Sequence, residues 1–369
     1  MAQGFSLKDQ LFNAETVDGL AARFAAASPG FDAKAFRAEV LDRFPELELK
    51  ARIDWIADCL AQQVPGDLDA IAPVILRALP PPCDPARADD DFGEFIYAPL
   101  GEWVVKVGLD RPELALDLIE EITQRFSMEW AIRPFLNRWP DVVLARLHAW
   151  TDHPHYHVRR LVSEGSRPHL PWGQGIGLTA AQTLPLLDRL HADPTRYVTR
   201  SVANHLNDIA RGDPDAVLDR LARWRAEGRQ DPGELDWMTG HALRGLVKAG
   251  HPGAMRMLGY DPDAPVSVTL TLPQSARIGG AFDLVVQLQA KGDVWVLVDY
   301  VIHFQRPGGK VSAKVHKLKQ AACRGELRLA KTHRLKADAT TFRLVPGPHR
   351  VEVMVNGRVR ASGEVEFVT

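Results

Sequence analysis

Val158-Arg159-Arg160-Leu161-Val162-Ser163-Glu164-Gly165-Ser166-Arg167-Pro168-His169-Leu170-Pro171-Trp172 and Tyr197-Val198-Thr199-Arg200-Ser201-Val202-Ala203-Asn204-His205-Leu206-Asn207-Asp208-Ile209-Ala210 are the two stretches whose comparison decides the fold. A shift of 40 residues lays Val158 on Val198, Arg160 on Arg200 and Val162 on Val202. Upstream it lays Leu144 on Leu184, Leu147 on Leu187 and Pro154 on Pro194. Each unit reads as a helix, a proline-containing turn, and a second helix that opens near a histidine or aromatic residue and carries basic side chains.

Paired helices repeating at about 40 residues are the pattern of HEAT-like repeats, which stack into a solenoid with a concave binding face. The helical texture holds to about residue 260. Leu144, Leu147 and Trp150 mark one helix face, and Leu184, Leu187 and Leu190 mark another. Pro80, Pro81 and Pro82 break the pattern, and an acidic loop is expected at Asp89, Asp90 and Asp91. After Gly259-Tyr260-Asp261-Pro262 the period changes from helical to alternating. Val266–Leu272, Phe282–Leu288, Val294–Phe304, Gly325–Arg334, Thr341–Val345, His349–Val355 and Gly363–Val368 read as short strands. Such strands, with Gly, Pro and Asn between them, predict an immunoglobulin-like sandwich. The expected architecture is therefore multidomain: an all-α HEAT-like helical repeat solenoid over 1–260, then an all-β sandwich over 266–369.

Charge separates the two parts. Residues 266–369 hold 16 Lys/Arg against 8 Asp/Glu, while residues 1–265 hold 29 against 39, within a total of −2. A basic module on an acidic body points to a polyanion or an acidic partner. Cys59, Cys83 and Cys323 are few, distant and odd in number, which excludes a disulfide framework and fits a reducing cytoplasm. Met1–Lys8 lacks a secretory start, and no apolar run reaches the ~18 residues of a membrane span. A soluble cytoplasmic protein without a membrane partner is expected.

On a helix, Arg160 and Glu164 share a face, Gly165 is placed to stop that helix, and Arg167 to Trp172 form a stiff turn carrying an aromatic ring. Arg200, Asn204 and Asp208 form a polar stripe at four-residue spacing. Glu129 again stands four before an arginine, Arg133, and Pro134 predicts a helix start that puts Glu129 and Trp130 in the preceding turn. By spacing alone the preferred reading is the ordinary one, surface ion pairs on solvated helix faces and a buried Trp172. His153, His155 and His157 alternate but lack a companion cluster of Cys, Asp or Glu, so no metal site is expected. Gly173, Gly175 and Gly177 follow no strand and make no nucleotide fingerprint.

The same segments resemble the AlkC-type bacterial DNA alkylation repair glycosylases, relatives of the AlkD helical-repeat enzymes. The resemblance begins at Leu7-Lys8-Asp9 and Leu11-Phe12-Asn13. It rests most on the run from Arg159-Arg160 to Arg167-Pro168-His169-Leu170-Pro171-Trp172, and on Ser201-Val202-Ala203-Asn204 with Leu206-Asn207-Asp208. Gly309 to Leu318 resembles the basic hairpin of the sandwich found in part of that family, with His316 where an aromatic is expected.

The resemblance implies hydrolysis of the N-glycosidic bond of cationic N3-alkylated bases (3-methyladenine, with 3-methylcytosine as a second candidate) in double-stranded DNA. It implies no cofactor, no metal and a monomer working in the bacterial cytoplasm on the nucleoid. A cationic base leaves without protonation, so such an enzyme needs carboxylates that stabilise an oxocarbenium ion and orient water. The family's catalytic carboxylates map onto Glu164, Asp208 and Glu129. Trp172 and Trp130 would contact the lesion or its sugar. Arg159, Arg160, Arg196 and Arg200 would neutralise phosphates, as would Lys310, Lys314 and Lys317 of the sandwich. The lesion would be met at the concave face without a deep pocket for a flipped base. A non-catalytic HEAT-like scaffold, or a protein that binds damaged DNA without cutting it, accounts for the repeats and the basic module equally well.

Overall fold

The computed structural model describes residues 6–86, 92–337 and 342–369. The acidic triplet Asp89–Asp91 and Thr341 lie outside the described residues. By packing, the chain divides into Met1–Gly212 with Ala222–Ala242, and Asp213–Leu221 with Leu243–Thr369.

The described residues of the first unit form helices joined by turns and loops. Local sequence sets its helix ends. Asn13 and Thr16 form a reciprocal cap at the start of Ala14–Ala27, and Thr179 and Gln182 do the same for Ala180–Leu190. In the two repeated units, Pro140–Trp150 is followed by Tyr156–Gly165, and Ala180–Leu190 by Arg196–Ile209. The second helices form a row: Tyr156–Gly165 packs on Arg196–Ile209, which packs on Pro232–Ala242. Their apolar positions are buried, with Val158, Leu161, Val162, Val198, Val202 and Leu206 at 0% exposure. The helix Tyr156–Gly165 ends where expected, and Gly165 has a packing reason as well: a Cβ there would stand 2.7 Å from Ile132 Cγ2. No helix of the described residues is long and apolar enough to cross a membrane.

The second unit carries a six-stranded sheet: β1 (Val266–Thr271), β2 (Ser275–Arg277), β3 (Ala281–Gln305), β4 (Val311–Arg334), β5 (Gly347–Val355) and β6 (Arg358–Val368). The order is β1-β3-β5-β6-β2, with β4 also paired to β3. The expected strands Phe282–Leu288 and Val294–Phe304 are one strand of 25 residues, and Gly325–Arg334 is the end of a 24-residue strand. The sequence breaks its alternation at Lys291-Gly292-Asp293, but the backbone ladder runs on through a register shift between Gln289 and Asp293. β1 pairs the first half of β3 and β5 the second half. Both halves nevertheless bury side chains in one core, Leu284, Val286 and Leu288 with Val298, Tyr300 and Ile302, as the two layers of a sandwich do. Residues 342–345 form no strand.

The β5–β6 turn is Asn356-Gly357, both at positive φ (49° and 80°), the dipeptide that such tight hairpins favour. Asn356 also accepts from Leu297 N at 2.8 Å and donates to Asp261 O at 2.8 Å. A Cβ on Gly357 would meet the Gly250 backbone at 2.9 Å, so the helices Arg244–Lys248 and Pro252–Met257 group with the sheet.

Candidate active site

The neighbouring helices Tyr156–Gly165 and Arg196–Ile209 put Ser163, Glu164, Ser201, His205 and Asp208 at one seam. Ser201 Oγ donates to Glu164 Oε2 at 2.6 Å. Just past the first helix, Arg167 bridges two of the predicted carboxylates, with Nη1 2.6 Å from Glu164 Oε1 and Nε 3.0 Å from Asp208 Oδ2. The His169 amide also donates to Asp208, at 3.3 Å. On the other side Arg160 Nη1 donates to Glu129 Oε2 at 2.6 Å and to Ser127 Oγ at 2.9 Å, while Nη2 lies 3.7 Å from Glu164. The result is an alternating chain of charges: Glu129, Arg160, Glu164, Arg167, Asp208.

Arg133 braces the loop that supplies Arg167. Fully buried, it donates to the carbonyls of Gly165 (2.8 Å), Arg167 (2.9 Å) and Gln174 (2.5 Å). Its Nη2 has no partner among the described residues. The expected spacing of Glu129 to Arg133 is present but the two do not pair. Glu129 sits in the turn before the helix Ile132–Arg138, outside the helical register, and its partner comes from the next repeat.

Burial opposes ionisation of Glu164, but the charges of Arg160 and Arg167 and the Ser201 hydrogen bond outweigh it, holding the carboxyl below its ordinary range. Burial also opposes the Arg160 cation. Glu129 and Glu164 reverse that and hold the guanidinium charged. Arg133 is lowered by its burial and by Arg167 nearby. His205 is pushed down to about 3 by complete burial, with Arg167 adding repulsion. Its Nδ1 lies 3.0 Å from the Ser163 carbonyl, and its Nε2 has no partner among the described residues.

Trp172, at φ 63° and 64% exposed, stands with its ring centroid 6.2 Å from that of Trp130. Trp130 is fixed by a hydrogen bond to Pro171 O at 3.2 Å. The two indoles line a cleft of about 460 Å³ with Ile53, Glu48 and Glu102. Burial and the nearby Asp54 raise the Glu102 carboxyl above its ordinary value.

The four predicted arginines have different surroundings. Arg159 is clasped by Asp193 (2.5 Å) and by the His153 and Pro154 carbonyls. Arg160 belongs to the carboxylate chain above. Arg196 donates to Glu234 at 2.8 Å and lies 3.9 Å over the Trp237 ring. Arg200 alone of the four is exposed and makes no ion pair among the described residues. In the second unit Lys310, Lys314 and Lys317 are exposed, with Lys317 donating to Gln320 at 3.0 Å. The histidine run does three separate structural jobs. His153 faces Glu120 (3.2 Å), His155 meets Cys83 O (2.9 Å) and His157 packs on Tyr197.

Sequence reading gave no role at the site to Ser127, Ser201 or His205, and took Arg167 as part of a stiff turn and of the motif that carries the resemblance. Ser201 and His205 find partners 37 and 42 positions away and Arg167 reaches Asp208 across 41, so local spacing carried no sign of those contacts, whereas Ser127 with Glu129 and Glu164 with Arg167 lie only two and three positions apart.

Residues 266–369 match the family model described as the C-terminal Ig-like domain of the uncharacterised protein YhaZ. The chain is 30% identical over 362 residues to the uncharacterized protein YhaZ of Bacillus subtilis (strain 168), covering 96% of this chain and 97% of that one. It also superposes on the alkylpurine DNA glycosylase AlkC of Pseudomonas fluorescens, solved bound to DNA containing an abasic site analog. That match has a TM-score of 0.84 at 30% identity, over 99% of this chain and all of the other. With one fold shared over essentially the full length of both chains, this protein belongs to the AlkC family.

Proposed function

We propose that this protein is a DNA glycosylase that releases cationic N3-alkylated bases, 3-methyladenine first among them, from double-stranded DNA in the bacterial cytoplasm. The observation that carries the reading is Glu164 set between two guanidiniums, Arg167 at 2.6 Å and Arg160 at 3.7 Å, with Ser201 donating to it at 2.6 Å. A carboxyl held below its ordinary range by two guanidiniums is a poor proton donor at neutral pH. A site built on it suits a leaving group that needs no proton, and an N3-alkylated purine already carries a positive charge. Glu164, Asp208 and Glu129 would then stabilise the sugar cation and orient the attacking water. Arg160 and Arg167 hold the three acids in place through hydrogen-bonded ion pairs. Trp172 and Trp130 offer aromatic faces to the cation.

The full-length likeness to an alkylpurine DNA glycosylase supports the same reading. The exposed Arg200 and the lysines of the second unit would serve as phosphate contacts. No deep pocket for a flipped base is required, because the departing cation can be met at the surface that carries the two indoles.

The test is single-turnover incubation with duplexes bearing 3-methyladenine, 3-methylcytosine or uracil, followed by identification of the released base. Release of the cationic bases with little uracil is expected. Comparable uracil release would refute the charge argument, and tight binding without release of any base would leave a damage-binding scaffold.

A further inference from the structure

The second unit contains a cavity of about 280 Å³ between β3, β4 and the chain that follows β4. Arg306, Lys314, Arg334 and Lys336 line it together with His316 and His333, and none of the described residues that line it is acidic. None of the four cations makes an ion pair among the described residues, whereas the arginines of the helical seam are matched to carboxylates. Four like charges around one small cavity repel each other, and an anion would relieve that repulsion.

The site is also shaped. Arg306 is held over the rings of Phe304 and Phe342 at 5.3 and 4.9 Å, and its Nε donates to Ser312 Oγ at 2.7 Å. His316 stacks on Tyr300, and its buried Nε2 has no partner among the described residues. Tyr300 Oη in turn lies 3.0 Å from His333 Nδ1.

We propose that this cavity binds a phosphate group carried on a larger organic body, the unit of a nucleotide, supplied either as a free nucleotide or by a DNA strand, the second source resting on the action on DNA proposed above. Phosphate is favoured because its several oxygens can take donors from a guanidinium, lysines and an imidazole together. The volume is near the lower end for small-ligand sites, which leaves room for more than a bare ion. Burial lowers both imidazoles, His333 to about 4, with the neighbouring cations adding to the effect, as expected of a cavity short of negative charge.

The full-length protein, labelled at histidine, is titrated with deoxyadenosine monophosphate and separately with undamaged duplex DNA, reading the imidazole signals of His316 and His333. Saturable shifts with the nucleotide are expected, weakened about tenfold or more in an Arg334→Ala/Lys336→Ala double variant. Both of these side chains are exposed, so the fold does not depend on them. Displacement of the nucleotide by duplex, or the same shifts with duplex alone, assigns the site to a strand phosphate. Nucleotide binding unaffected by duplex assigns it to a free nucleotide. If neither probe moves these signals, or the double variant binds as well as the parent, the proposal is overturned. No base excision is read, so the outcome is separate from that of the proposed glycosylase activity.

Discussion

Arg160 donates to Glu129 at 2.6 Å across 31 positions of sequence, tying the turn before one helix to the middle of another. Both side chains are about 14% exposed, so the pair is shielded from water and salt. Arg160→Ala would leave the shielded Glu129 carboxylate without its guanidinium, which costs about 3 kcal/mol or more for such buried pairs. Arg160→Lys keeps the charge but loses the fork that reaches Ser127, Glu129 and Glu164 together. Chemical denaturation should therefore rank parent above Lys above Ala. Equal stability of parent and Ala variant would mean that the pair is loose in solution.

Glu164→Gln removes the charge and keeps the shape. It should slow base release about a hundredfold, equivalent to about 3 kcal/mol of barrier, with DNA affinity held or improved. Ser201 and Arg167 now donate to different carboxylate oxygens, and the amide can accept at only one, so some stability is lost as well. Asp208→Asn should behave the same way. Single-turnover excision and DNA binding on the same variants decide the matter: parental rates in both would remove these carboxylates from the reaction.

His205 makes a prediction about acid. The unfolded chain binds a proton there below pH 6.5, while the folded one does so only near pH 3. Between those values the unfolded state holds more protons, so stability is lost as pH falls, at about 1.4 kcal/mol per unit. From pH 6.5 to 5 this one group accounts for about 2 kcal/mol. Urea melts of the parent and His205→Gln across that range should differ in slope by this amount. Parallel slopes would show that His205 titrates normally.

Arginines that looked alike should separate under salt titration of DNA binding. Arg200→Ala should reduce the slope of log affinity against log salt by about one, and loss of Lys310, Lys314 and Lys317 together by about two to three. Arg159→Ala and Arg196→Ala should leave the slope nearly unchanged and lower stability instead, because Asp193 and Glu234 already hold those guanidiniums. A full unit of slope lost with Arg159→Ala would mean that its clasp opens on DNA.

Local periodicity made the helical part readable. Val158, Leu161 and Val162 repeat at helical spacing because one face must leave water, and the structure buries all three. The strands of the second unit were readable for the same reason at period two, but their joins were not. Alternation fails at Gly292 whether the chain turns or only bulges, and hydrogen bonds to β4 determine that it bulges.

The candidate site divides along the same line. The family resemblance singled out Glu129, Glu164 and Asp208, and spacing placed each on its own short segment, since residue order within a helix is a local property. Only the tertiary structure decided which cations they meet. The same four-residue spacing describes Arg160 with Glu164, which approach to 3.7 Å, and Glu129 with Arg133, which do not pair. Stacking one repeat on the next brings Arg160 to Glu129, Ser201 to Glu164 and Arg167 to Asp208, and such contacts between distant segments depend on how side-chain faces pack, which no spacing along the chain encodes.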